Sequence, residues 1–210
     1  MDSESTLYAA WLELYAEHAQ ELPVEHFTAV IGSATHFDPV AHLQTLIGSE
    51  PALDVEATHL RIRTRYAELV DASPVLPGVV DRIAEADRLG WPRGVASSSR
   101  RPWVVGHLSR LGLGDGWAGI RCRDEAPRAK PHPDLYQAVV ADMGVEPAEA
   151  VALEDSPNGL TAARAAGLWA VAVPGPLTRG LDLSMAHLRL ESLASATLQE
   201  ICARLVGRAG

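Results

Sequence analysis

The stretch Val151-Ala152-Leu153-Glu154-Asp155-Ser156-Pro157-Asn158-Gly159-Leu160 decides the fold class. Its first three residues make a short apolar run of the kind a fully buried strand needs. Ser156 followed by Pro157 reads as an N-cap and a first helical position, so a helix follows at once. A strand that passes through a polar turn into a helix is the junction from which parallel sheets are built. The turn lies at the strand's C-terminal end, where open α/β sheets bind their ligands.

The same alternation extends in both directions. Downstream, a helix over 157–166 leads to a strand at 169–173. Upstream come a helix over 78–89, an apolar run at 94–96, a helix over 102–111, a strand around 117–121 and a helix over 133–143. Residues 73–210 therefore read as a doubly wound α/β core. Before them, Leu7, Ala10, Trp11, Leu14 and His18 recur at helical spacing, and further helical patterns cover 24–31, 39–47 and 55–72. Pro23, Gly32, Gly48 and Pro51 separate these helices, and no segment of the first 72 residues reads as a strand. Ser73-Pro74-Val75-Leu76-Pro77-Gly78, rich in turn formers, suits a hinge between the two parts.

Composition narrows the function. The chain has 210 residues, 47% of them hydrophobic, and a formal net charge of −9, which suits one or two compact units and excludes general disorder. Its acidic balance lacks the positive field that draws a protein to nucleic acid or to anionic lipid, so neither is expected as a partner. No run reaches the ~20 apolar residues of a membrane span. Met1-Asp2-Ser3-Glu4 is acidic where a signal peptide needs a basic flank. Cys122 and Cys202 form no CxxC pair, so a disulfide framework and a thiolate zinc site are not indicated and a reducing cytoplasm is expected. Arg61, Arg63 and Arg65 form the one basic cluster and read as a solvated helix face.

Three polar clusters fall at the C-terminal ends of the expected strands. Ala96-Ser97-Ser98-Ser99-Arg100 offers hydroxyls and backbone N–H groups that can hold a phosphate, or a serine that caps the next helix. Ala129-Lys130-Pro131-His132-Pro133-Asp134 carries the second. Of the 18 basic residues 17 are arginine, and Lys130 is the single lysine, a compact point charge suited to a phosphate or a reacting carboxylate. In the third cluster, capping explains Ser156 and Pro157 without a ligand. It does not explain Glu154 and Asp155 together, a pair of hard oxygen donors suited to Mg2+.

In order, a hydroxyl after one strand, a lysine 33 residues on and an acidic pair 24 and 25 residues later resemble motifs II, III and IV of the haloacid dehalogenase (HAD) superfamily. Pro74-Val75-Leu76-Pro77-Gly78, Ala129-Lys130-Pro131 and Leu153-Glu154-Asp155-Ser156 are similar to segments of its β-phosphoglucomutase-like branch. Asp2-Ser3-Glu4 with Trp11 resembles the start of that branch's cap, so the resemblance spans essentially the whole chain. It implies a doubly wound parallel-sheet core, from residues 1–4 and 73–210, with an inserted α-helical cap over 5–72. It also implies a Mg2+-dependent phosphohydrolase that acts on a small phosphorylated metabolite, such as a sugar phosphate, through an aspartyl-phosphate. By the same resemblance Ser97 and Ser98 would hold the transferring phosphoryl group, and Lys130 would neutralise it. Arg100 would contact substrate, and Asp155 would hold Mg2+ with Glu154, directly or through water. Oligomeric state is left open.

One part of the pattern is missing. The family's motif I reads D-x-D-G-x-x-x-D and supplies the nucleophile; Asp2 matches only its last position, and the earlier positions would lie upstream of Met1. Asp115 and Asp182 lack the required strand before them. The strand that carries motif I belongs between those ending at Ser97 and Asp155, and its omission would leave two strand edges unpaired. The expectation is a chain numbered from downstream of its true start and inactive as numbered. The alternative is a HAD-like protein that binds a phosphorylated ligand or a partner protein without turnover. A phosphosugar mutase is disfavoured, because Leu7 stands where the mutase subgroup has a histidine and its phosphate-binding cap arginine aligns near Thr35. The dehalogenase branch is disfavoured too, since metal-free dehalogenation has no use for a paired Glu-Asp site.

Overall fold

Aspartates start the helices of the N-terminal part. In the computed structural model, which describes residues 1–31 and 37–207, Asp2 N-caps α1 (Ser3–Glu17) by accepting a hydrogen bond from Ser5 N at 2.9 Å. After α2 (Val24–Ile31), Asp38 caps α3 (Pro39–Ile47) and Asp54 caps α4 (Val55–Asp71) in the same way. Each carboxylate satisfies an N–H for which the first turn has no internal acceptor. The apolar faces meet in a cluster that includes Trp11, Leu14, Tyr15, Phe27, Leu43 and Ile62. Tyr15 is fully buried there; its hydroxyl donates to Pro39 O at 2.7 Å, and burial pushes the phenol up to about 12. On the outer face, Arg61 pairs with Glu17 while Arg65 pairs with Glu13 and Glu68. Arg61 and Arg65 of the basic cluster thus belong to a charge-balanced surface between α1 and α4.

This helical unit comprises Met1–Pro74 and Gly175–Gly180. Residues 1–4, 73–74 and 175–180, which the sequence reading groups with the core, cluster with this unit; Asp2 caps α1 and Leu177 packs against its apolar cluster. Leu7 also packs against that cluster, whereas Thr35 lies outside the described residues.

The second unit, Val75–Pro174 with Leu181 onward, carries the strands. Its elements are α5 (Val79–Leu89), β1 (Gly94–Ser97), α6 (Arg101–Arg110), β2 (Gly119–Cys122), α7 (Asp134–Met143), β3 (Val151–Glu154), α8 (Pro157–Ala165), β4 (Trp169–Ala172), β5 (Leu188–Arg189) and α9 (Leu198–Val206). Among the described residues every strand pairing is parallel. β1 runs beside β2 with Gly94 opposite Gly119 and Ser97 opposite Cys122. β4 lies between β3 and β5, with Val151 opposite Trp169 and Val171 opposite Leu188. Alternation along the strands sends Ala152, Ala170 and Ala172 towards Tyr136 and Val140 of α7 and Leu160 and Ala163 of α8. Val171 and Leu188 face the other way, onto Ile201 and Leu205 of α9. Helices on both faces make this the expected doubly wound α/β fold.

The strands form two sheets, β1-β2 and β3-β4-β5, so β1 and β3 each end a sheet. Burial follows from that position. Ala170, Val171 and Ala172 of β4 are 0% exposed, whereas Leu153 of β3 is 38% exposed and all of β1 is only half-buried. Parallel strands covered on both faces and both edges are normally buried throughout.

The C-terminal helix was not anticipated. Its start is held by Glu85 of α5, 3% exposed, which accepts from Leu198 N at 3.0 Å and pairs with Arg82. Among the described residues no helix is long and apolar enough to cross a membrane.

Candidate functional site

Lys130 links the ends of β1 and β3. Its Nζ donates to Ala96 O at 3.0 Å and pairs with Glu154 Oε1; the two side chains are 10% and 7% exposed. The loop that carries Lys130 is anchored on both sides. Arg128 donates to both carboxylate oxygens of Asp134, at 3.1 and 2.9 Å, and His132 N closes a turn on Ala129 O. A buried ammonium needs such a set of acceptors, since its desolvation is otherwise uncompensated.

Glu154 is the last residue of β3 and shares the inward parity of Ala152. Its carboxylate lies against Gly159 in the first turn of α8, and a β-carbon at 159 would overlap it. The partial positive charge of that helix end favours a carboxylate there. Tyr136 of α7 completes the arrangement. Its hydroxyl donates to Glu154 Oε1, and its ring centroid lies 4.8 Å from Lys130 Nζ. Burial, reinforced by the Glu154 charge, holds the phenol well above its ordinary value, so it acts as a donor.

Asp155 follows at the strand end and is exposed. Parity separates the acidic pair: Glu154 is buried against Lys130 and Tyr136, and Asp155 reaches solvent. Ser156 caps α8 by accepting from Gly159 N at 3.2 Å, as the capping reading of Ser-Pro anticipated.

The serine run behaves differently. Ser97 ends β1, half-buried, and its Oγ accepts from Ser99 N at 3.1 Å; Ser98 is exposed. None of these serines caps α6. Arg100 occupies the N-cap position without a side-chain cap bond, and Asp124 Oδ1, from beyond β2, accepts from Arg101 N at 3.0 Å. The hydroxyls of Ser97 and Ser98 therefore sit at the strand end without a capping duty on α6.

Lys130 and Glu154 thus meet directly. Ser97 and Asp155 adjoin them as the chain neighbours of Ala96 and Glu154, and exposed Arg100 lies past the turn at the start of α6. Tyr136 was not among the sequence candidates. Its signal was a tyrosine on the apolar Leu135, Val139, Val140 face of α7, where a buried hydroxyl must find a partner.

The described residues fit Mg2+ in kind. Mg2+ takes hard oxygen donors, commonly one or two protein carboxylates completed by water and phosphate; exposed Asp155 is such a donor, whereas the Glu154 carboxylate is already engaged by Lys130 and Tyr136. A different group, Cys122, Asp124 and Glu125, also brings three ligand-type side chains within 4.8 Å of one another. Its carboxylates already accept from Arg101 and from Cys122 N, and burial raises the thiol. That group is an anchor for α6.

Comparison with known proteins agrees with this architecture. Residues 1–167 match the family model described as haloacid dehalogenase-like hydrolase. The protein named "Putative phosphatase YhcW" of Bacillus subtilis is 38% identical over 198 residues, covering 94% of this chain and 89% of its own length. Hexitol phosphatase B of Escherichia coli K12 is 33% identical over 67% of this chain and 64% of its own. The crystal structure of CbbY from Rhodobacter sphaeroides in complex with phosphate superposes with a TM-score of 0.71 at 28% identity, covering 98% of this chain and 93% of that one. A mutant of the same protein in complex with xylulose-(1,5)bisphosphate gives 0.70 at 28% identity over 94% and 92% of the two chains.

Proposed function

Because the chain belongs to the haloacid dehalogenase-like hydrolase family, we propose that it hydrolyses the phosphomonoester of a small sugar-like metabolite at the ends of β1 and β3. The observation that carries this reading is the lone lysine, buried between Ala96 O and the Glu154 carboxylate at the ends of β1 and β3. One relative's name, hexitol phosphatase B, and the xylulose-(1,5)bisphosphate bound to a mutant of another support a phosphorylated sugar or sugar alcohol.

In this reading the anion lies over the strand ends. Lys130 donates to a phosphoryl oxygen and offsets its charge, while Ser97 and Ser98 give hydroxyl and backbone N–H donors. Arg100 takes a more distant part of the substrate. Glu154 acts from behind by holding Lys130. Mg2+, held by Asp155 and water, would neutralise phosphate charge when bound. Catalysis of this kind is mostly positioning and charge compensation, which suits strand ends joined by a loop that is anchored on both sides.

The reaction also needs a carboxylate acceptor, on a strand seated between β1 and β3. Both are edge strands. Asp2, matched to the end of motif I, serves as the N-cap of α1. The test is therefore a phosphate-release screen over sugar phosphates with Mg2+, run on residues 1–210 and on the same chain extended upstream. Release by the extended form alone supports both the reaction and the source of the acceptor. Release by neither overturns the reading in favour of ligand binding without turnover.

A further inference from the structure

Tyr136 is the group at this site that the proposed reaction leaves unused. Its neighbours on α7, Leu135, Val139 and Val140, are ordinary core residues, and a core position facing a sheet is filled as well by Phe or Leu. Here the hydroxyl is bonded to the Glu154 carboxylate and the ring flanks the Lys130 ammonium. We infer that Tyr136 is a positioning residue, which holds Glu154 and Lys130 so that one N–H of the ammonium stays available to a phosphoryl oxygen. The inference rests on the phosphohydrolase reading for the identity of the anion, and on the geometry alone for the restraint of Lys130.

Donor counting supports it. An ammonium has three N–H groups. One is directed to Ala96 O at 3.0 Å and one to Glu154 Oε1. Tyr136 Oη lies 3.5 Å from Nζ, at the outer limit of a hydrogen bond, and its own proton goes to the same Oε1. By occupying that oxygen, the phenol reduces its capacity to draw in a second N–H from the lysine. The third N–H is directed at Tyr136 Oη, the longest of the three contacts at 3.5 Å, and is the one a phosphoryl oxygen would take over. The ring contact, through the attraction of a cation to an aromatic face, restrains the flexible stem from swinging away.

The composition provides the measurement. Lys130 is the single lysine, so protein labelled with 13C,15N-lysine gives one lysine side-chain signal, whose mobility and Nζ proton exchange are read without substrate. Tyr136→Phe keeps the ring and removes the hydroxyl. It should speed Nζ exchange and weaken binding of inorganic phosphate with Mg2+, each about tenfold, the loss expected for one hydrogen bond to a charged group. Tyr136→Leu, which also removes the ring, should loosen Lys130 further. A purely structural tyrosine would lower the unfolding midpoint of Tyr136→Phe while the Lys130 signal of the folded protein stayed unchanged. That result overturns the inference, as does a Lys130 already mobile in the unsubstituted protein. If Lys130 is restrained in a Tyr136-dependent way but the protein binds no phosphate, the positioning role stands and the phosphohydrolase reading fails.

Discussion

Replacing Lys130 by methionine keeps most of the aliphatic stem and deletes the ammonium. The surroundings set the size of the effect. Both Lys130 and Glu154 are at least nine-tenths buried, so water does not replace the lost partner, and the carboxylate keeps only the Tyr136 hydroxyl and the first turn of α8 as compensation. Breaking a buried ion pair costs about 3–5 kcal/mol, and the retained donor places this case near the lower end, about 3 kcal/mol. For a chain of this length the thermal midpoint should fall by roughly 6–12 °C. Denaturant titration of the unsubstituted protein, Lys130→Met, Glu154→Gln and the double variant separates the pair from its background. The double variant leaves neither charge buried alone, so its loss should be smaller than the sum of the single losses by about 1–3 kcal/mol. Additive losses, or a loss below about 1 kcal/mol for Lys130→Met alone, would refute the buried pairing.

Three further outcomes are expected. Gly159→Ala sets a β-carbon on the Glu154 carboxylate and should cost about 1–3 kcal/mol by denaturant titration; an unchanged midpoint would mean that Glu154 lies elsewhere. Asp155→Asn, at an exposed position, should change stability by no more than about 0.5 kcal/mol. Calorimetric titration should nevertheless show its Mg2+ affinity reduced at least about tenfold, and equal affinity would remove Asp155 from the metal site. His187 Nδ1 accepts from Ala170 N at 2.9 Å, and burial, with the Arg164 charge, lowers its pKa below the ordinary 6.5. Above that value folded and unfolded chains both hold it neutral. Below it the unfolded chain takes up the proton first, so stability falls as the pH drops. His187→Asn should lessen the difference between urea midpoints at about pH 7.5 and about pH 5.5, and an identical difference in both proteins would count against the assignment.

Much of the fold was legible because proline, glycine and aspartate punctuate it. The patterns over 24–31 and 39–47 coincide with α2 and α3, and the expected strands at 94–96 and 151–153 are β1 and β3 less one residue each. The strand expected from Trp117 begins at Gly119, because Trp117 Nε1 is tied back to Leu113 O in the preceding turn. β5 has two residues, too few to show alternation. α9 did carry a signal, the capping box of Thr197 and Glu200 followed by Ile201 and Leu205 four residues apart. Residue order singled out Lys130 and the acidic pair as candidates, and the structure brings Lys130 and Glu154 into contact at the strand ends. What spacing along the chain did not convey was contact at long separation: Asp124 serving the N-terminus of α6, or a tyrosine of the α7 core face bonded to Glu154. Periodicity registers that a side chain is apolar and inward, and is blind to the one polar atom at its tip.

Leu177 has a consequence for how the protein comes apart. The segment Gly175–Gly180 leaves the strand-bearing unit after β4, contributes that leucine to the helical cluster, and returns at Leu181. The helical unit is therefore discontinuous in the chain, and a fragment ending at Pro74 would fold with a hole where Leu177 packs. A protease that nicks the 73–78 segment would likewise leave the halves of the molecule tethered, because two more covalent crossings remain. Separating the units cleanly takes three cuts, and any designed exchange of the helical unit between relatives must carry the 175–180 segment with it.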